Sequence, residues 1–205
     1  MRLVIASLLG LALGSALAGC DRQKAPEPQG EAAASANEAV GNDAAPAEAF
    51  PTGQLDRSHA GTPAPDIAFE DPHGRPTRLS DFRGRPLLVN FWATWCGPCV
   101  VEMPSLDALA AREGERLRVL ALSQDTNGRQ KVTDFFAEHE FTRLEPYLDP
   151  DMDIMMALGV ETLPTTILYN SEGTEVWRMT GMSEWDGERA ARLLTETEAS
   201  ASQAL

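Results

Sequence analysis

The amino-acid sequence predicts an α/β domain built on a mixed central sheet flanked by helices. Three observations carry that expectation. Two short, almost continuously apolar runs, Pro86 to Trp92 and Leu117 to Leu122, read as strands covered on both faces. Between them, from Pro98 to about Arg112, apolar residues recur at helical spacing, at Val100, Met103, Leu106 and Leu109. A strand–helix–strand order of this kind implies a right-handed parallel crossover. Farther along, Thr165 to Tyr169 and Glu175 to Thr180 flank the turn Asn170-Ser171-Glu172-Gly173, which suits an antiparallel pair.

In chain order, Arg2 precedes an apolar segment, Leu3 to Leu17, that closes on Leu17-Ala18-Gly19-Cys20. About 15 apolar residues are few for a bilayer span, and small residues end the run, so residues 1–19 read as a signal peptide. Residues 20–63 then change to Ala, Pro, Glu, Gln, Asn and Gly with almost nothing aromatic. Such a composition buries too little apolar surface to offset its ordering entropy, and a disordered tether is expected. A coil of about 45 residues reaches roughly 35–40 Å.

Residues 64–205 remain for one ordinary core. Pro65 to Glu70 and Arg75 to Leu79 surround Asp71-Pro72-His73-Gly74, a hairpin pattern. Ser80 to Gly84 is a short turn into the central strand. Pro104 is expected to bend the first helix. After the second strand, Arg129 to His139 reads as a helix with Val132, Phe135 and Phe136 on one face. Tyr147-Leu148 is a short strand. Asp149-Pro150 suits the start of a helix over Asp151 to Leu158, with Asp149 as its cap. Met152, Met155 and Met156 are read there as core filler rather than a soft-metal site. A last helix runs from about Trp185 to Leu194.

The chemistry concentrates at Trp95-Cys96-Gly97-Pro98-Cys99, where the central strand turns directly into the helix. That turn puts Cys96 at a helix N-terminus, where unpaired N–H groups and the helix dipole favour a thiolate. Pro98 fits the first helical turn. Two intervening residues permit a Cys96–Cys99 disulfide, so Cys96 attacks a partner and Cys99 resolves the adduct. A zinc knuckle needs a second pair of ligands. The chain offers one further cysteine and the scattered His59, His73 and His139, so no metal is expected. A net charge of −14 argues against nucleic acid as a partner and leaves no attraction to anionic headgroups.

These residues also carry a resemblance. Trp-Cys-Gly-Pro-Cys is similar to the thioredoxin active site. Val89-Asn90-Phe91-Trp92-Ala93-Thr94-Trp95-Cys96, with Glu102-Met103-Pro104 behind it, resembles the TlpA/ResA-like branch of membrane-anchored periplasmic thioredoxins. The likeness covers roughly Pro65 to Leu194 and implies a thioredoxin fold with an N-terminal β-hairpin and a central helix–strand insertion at Thr126 to Leu148. It implies a cis Pro164 facing the cysteines, with Thr162 and Leu163 presenting backbone to the incoming chain. Trp95, Gly97 and Pro98 would complete the contact surface, with Trp92 in the core.

Thioredoxin handles the proton of its resolving thiol with an Asp and a Lys, but here Asn90 and Ala121 hold those places. Glu102, one helical turn after Cys99, is the nearest carboxylate and matches a glutamate of the TlpA/ResA-like branch. A solvated helix-face glutamate is the alternative. Leu17-Ala18-Gly19-Cys20 resembles a lipobox, which implies a lipidated Cys20, and Asp21 resembles an inner-membrane retention signal. The whole then implies a lipid-anchored, monomeric, periplasm-facing reductase of protein disulfides. Its only redox group would be the cysteine pair, recharged by a DsbD/CcdA-like membrane donor, with apocytochrome c or copper-site thiols as substrates. A disulfide oxidase or isomerase is the alternative direction. A peroxidase would need Thr-x-x-Cys, whereas Thr94 lies two residues before Cys96, and a non-catalytic adaptor could tolerate loss of either cysteine.

Overall fold

The computed structural model describes residues 53–126 and 128–196. The elements are β1 (Gln54–Asp56), β2 (Ala68–Glu70), β3 (Pro76–Arg78), β4 (Leu87–Trp92), α1 (Gly97–Glu113), β5 (Arg118–Ser123), α2 (Arg129–His139), β6 (Tyr147–Leu148), α3 (Asp153–Ala157), β7 (Thr165–Tyr169), β8 (Glu175–Thr180) and α4 (Glu188–Leu194). Among the described residues, eight strands form one sheet in the order β1-β8-β7-β4-β5-β6-β2-β3. β4 lies at its centre, parallel to β5 and antiparallel to β7. This is the thioredoxin fold, with the hairpin β2–β3 and the inserted α2–β6 where the sequence places them.

All six residues of β4 are buried, because the sheet is covered on both sides. Their side chains alternate. Leu88 and Trp92 pack with Met103, Leu106 and Leu109 of α1, while Leu87, Val89 and Phe91 pack with Phe69, Leu120, Ile154 and Ile167. Asn90 shares the α1-facing side, and the register sets it opposite both Ala121 and Thr166. A polar patch is thus built into the middle of the sheet beneath the first helix. The insertion packs back onto this side, with Phe135 and Phe136 of α2 lying 5.0 and 5.8 Å from the Trp92 ring.

The structure corrects four expectations. The domain begins before residue 64: Gln54–Asp56 pairs antiparallel with β8, and Pro63 bridges to Thr174. Those backbone hydrogen bonds satisfy the edge of β8, a gain that composition does not register. The third helix is only Asp153–Ala157, because Pro150 and Asp151 form a turn and Met152 takes a left-handed φ of 57°. Asp149 still caps it from a distance, accepting the N–H groups of Asp153, Ile154 and Met155. Of the three methionines only Met155 packs against the core, and Met156 is exposed. The last helix starts at Glu188, since Trp185 serves another purpose. The expected leader, Cys20 and the tether up to residue 52 lie outside the described residues.

Candidate active site

β4 ends at Trp92, and three residues carry the chain to Cys96, whose N–H donates to the Ala93 carbonyl at 3.1 Å. Cys96 is the N-cap of α1, and its sulfur accepts the backbone N–H of Cys99 at 3.3 Å. Pro98 occupies the first turn, where no N–H is missed. Cys96 and Cys99 form a disulfide. Cys99 is fully buried and Cys96 almost so, whereas Gly97 and Pro98 are exposed and Trp95 is 65 % exposed. An accessible indole thus stands beside a nearly covered sulfur.

The Leu163–Pro164 peptide bond is cis. Thr165 pairs with Phe91, so Pro164 falls at the level of Trp92, the strand end from which the cysteine turn departs. Pro164 is buried, Leu163 partly buried and Thr162 exposed. The Pro164 carbonyl accepts the Gly181 N–H at 2.8 Å, and Thr162 accepts the Thr165 hydroxyl at 2.7 Å.

Glu102 is entirely buried, so the solvated-face alternative does not hold. Its Oε1 accepts Asn90 Nδ2 at 2.7 Å. Its Oε2 accepts the backbone N–H of Ser183 at 2.9 Å and the indole N–H of Trp185 at 3.2 Å. Burial pushes the carboxyl up to about 7, against the opposing pull of the donors from Ser183, Asn90 and Trp185. A carboxyl poised there can hold or release a proton at neutral pH.

Sequence reasoning missed several members of the site. Asn90 sets the Glu102 carboxylate rather than merely failing to accept a proton. Trp185, expected only as the start of the last helix, also donates to it, and Ser183 carries no signal in the sequence. Asp125, between the second strand and the helix at Arg129, is a further member. Its carboxylate accepts the Thr94 N–H at 2.8 Å and hydroxyl at 2.7 Å, together with the Ser123 hydroxyl at 2.8 Å. It therefore fixes the turn that carries Cys96. A buried acid just past the C-terminal end of a parallel strand was the available clue. Among the described residues, no group of three or more His, Cys, Asp or Glu side chains is arranged to hold a metal ion.

Comparison with known proteins agrees with this arrangement. The family model Redoxin matches residues 59–194. The thiol–disulfide oxidoreductase ResA of Geobacillus kaustophilus is 35 % identical over 132 residues, 63 % of this chain and 74 % of that protein. ResA of Geobacillus thermodenitrificans is 36 % identical over 115 residues, 55 % of this chain, and the chain spans 64 % of that relative's length. The crystal structure of an exposed lipoprotein thioredoxin from Streptococcus pneumoniae superposes with a TM-score of 0.55 at 25 % identity, covering 65 % of this chain and 99 % of that one.

Proposed function

Because the chain belongs to the Redoxin family, in its TlpA/ResA-like branch of thiol–disulfide oxidoreductases, we propose that it reduces protein disulfides from a lipid anchor on the periplasmic side of the inner membrane. The Cys96 thiolate attacks a substrate disulfide, whose first sulfur leaves as a thiolate. Cys99 then gives its proton to Glu102 and attacks the Cys96 sulfur. The Cys96–Cys99 bond forms, the bond to the substrate breaks, and the second substrate thiolate leaves. Two electrons have passed to the substrate, and a DsbD/CcdA-like membrane dithiol restores them. Trp95, Gly97, Pro98 and the Thr162–Pro164 segment form the surface that receives the substrate, with cytochrome c or copper-site precursors as the substrate class.

The observation that carries this reading is the buried Glu102 carboxylate one helical turn beyond the resolving cysteine, poised near neutrality. Glu102→Gln keeps the shape and removes the base. In quenched single-turnover reduction of a model disulfide, it should slow resolution at least about 10²-fold while sparing the first attack, which the helix N-terminus still favours. Unchanged resolution sinks the assignment.

The reducing direction rests on Gly97-Pro98 and the thiolate-favouring N-cap. Equilibration against glutathione should give a midpoint nearer the roughly −270 mV of thioredoxin than the roughly −120 mV of a strong oxidant. A midpoint above about −180 mV would instead indicate an isomerase or oxidase.

A further inference from the structure

Every polar group that contacts the Glu102 carboxylate is a donor: Asn90 Nδ2, the Ser183 N–H and the Trp185 indole. That cradle suits an ionised carboxylate. It does not suit the protonated acid, whose O–H would then point at another donor. Two of the three donors cannot change character, because a backbone N–H and an indole N–H only donate. Asn90 can. Its Nδ2 donates both to Glu102 and to Thr166 Oγ1, at 3.0 Å, while its Oδ1 is buried without a hydrogen-bond partner. The Thr166 hydroxyl is a rotor that accepts or donates equally well.

We propose that Asn90 is a positioning residue that turns its amide end for end when Glu102 takes up a proton. With the acid ionised, Nδ2 faces Glu102 and Thr166. With the acid protonated, Oδ1 faces them and accepts both the Glu102 O–H and the Thr166 O–H. The proton that leaves Cys99 is thereby held on Glu102 Oε1 by a matched acceptor until it escapes, and no bond to carbon, nitrogen or sulfur changes in the turn. Among the described residues, no charged side chain contacts the carboxylate. α1 contributes Cys99 one turn earlier and Ser105, β4 Asn90, β7 Thr166, and the 183–185 segment Ser183 and Trp185. Cys99 is the one titratable neighbour, and in the disulfide it does not titrate. The geometry accounts for an asparagine where an acid would add a second buried charge and an alkyl side chain could neither donate nor accept.

The inference rests on Glu102 as the proton acceptor, yet it can be tested apart from catalysis, in the disulfide form of the full chain. NMR cross-peaks between the Asn90 Nδ2 protons and the Thr166 side chain should be present at high pH. They should vanish at low pH with the same midpoint as the Glu102 carboxyl carbon shift. Glu102→Gln mimics the protonated acid, because its NH₂ must point away from Ser183 and Trp185. It should show the turned amide at every pH. Cross-peaks that persist across the titration, or a parental pattern in Glu102→Gln, overturn the proposal. In kinetics, Asn90→Leu should slow resolution about tenfold and leave the first attack unchanged, and Asn90→Thr, which both donates and accepts, should recover part of the loss. Resolution in Asn90→Leu at the parental rate also overturns it, whereas slow resolution in Glu102→Gln without any amide turn leaves the base assignment standing alone.

Discussion

At the scale of the residue, Glu102 makes the protein's stability depend on pH in a direction opposite to that of Asp125, the buried acid behind the cysteine turn. The folded carboxyl sits at about 7 and its ordinary value is 4.5, so the native state holds more protons than the unfolded chain between those limits. The stability associated with the neutral acid is complete below 4.5 and is lost as pH rises through 7, by about 3 kcal/mol at most. Glu102→Gln stays neutral and should abolish that slope. In urea unfolding at pH 5 and pH 8, the variant should gain on the parent as pH rises. Parallel curves would mean that the carboxyl is ionised throughout. The position of Glu102 was legible from its i, i+3 spacing to Cys99. Full burial was not legible, because it depends on Ser183 and Trp185, which lie about eighty residues away and arrive only through tertiary packing. The cysteine pair was legible in full, since its chemistry needs only a strand, a turn and a helix start in immediate succession.

At the scale of the element, the cysteine turn is held from the neighbouring strand. Asp125 follows β5 and reaches across to Thr94, while Ser123 and Lys131 complete its shell. Burial alone would raise the Asp125 carboxyl, but the hydrogen bonds from Thr94 and Ser123 and the Lys131 charge outweigh it and hold the group below its ordinary value. Its contribution is therefore present above the unfolded value of 3.8 and is lost only as the pH falls through the lower folded one. Asp125→Ala leaves the Thr94 N–H and the Ser123 hydroxyl without this acceptor. A loss of about 2–3 kcal/mol is expected, a fall in Tm of roughly 5–10 °C, together with a several-fold slower first attack by Cys96. A variant with parental attack rate and stability would show that the turn holds itself. Asp107 of α1 plays a comparable part for the insertion, accepting the backbone N–H groups of Thr142, Arg143 and Leu144. Apolar period reveals α2 and β6 in the sequence. It cannot reveal which carboxylate receives the loop between them, because that pairing is set by how α2 docks on Trp92.

At the scale of the whole molecule, the point where the domain begins decides which residues are structural. Residues 54–63 looked like tether because their composition is polar, yet β1 completes the sheet. Leu55 packs against the core, and Gly53 donates to the Met182 carbonyl at 2.8 Å. Gly53 also passes so close to Gly181 that a Cβ there would meet the Gly181 carbonyl oxygen at 2.6 Å, so only glycine fits. Gly61 donates to Glu175, whose own N–H donates to Thr62 at 2.9 Å, and Ala64 donates to Gly173. Three strand residues carry too weak a pattern to be read alone, and β1 exists only because β8 offers an unpaired edge. Two truncations separate the alternatives. A chain beginning at Gly53 should keep the parental unfolding midpoint, since every contact of β1 among the described residues remains. A chain beginning at Ala64 loses the hydrogen bonds of Gly53, β1, Gly61 and Thr62 and the packing of Leu55, a cost on the order of 2–4 kcal/mol, and exposes β8 to pairing with a second copy. The proposed anchor is tested on the full chain by Cys20→Ser, which should move a redox-active protein from the membrane to the soluble fraction, because acyl chains contribute about 0.8 kcal/mol per buried CH₂ and the acidic domain has no charge attraction to replace them. If the chain beginning at Ala64 is as stable as the one beginning at Gly53, β1 is a passive extension and the boundary at residue 64 stands. If it is less stable, the domain proper starts at Gly53, eleven residues earlier than composition suggests.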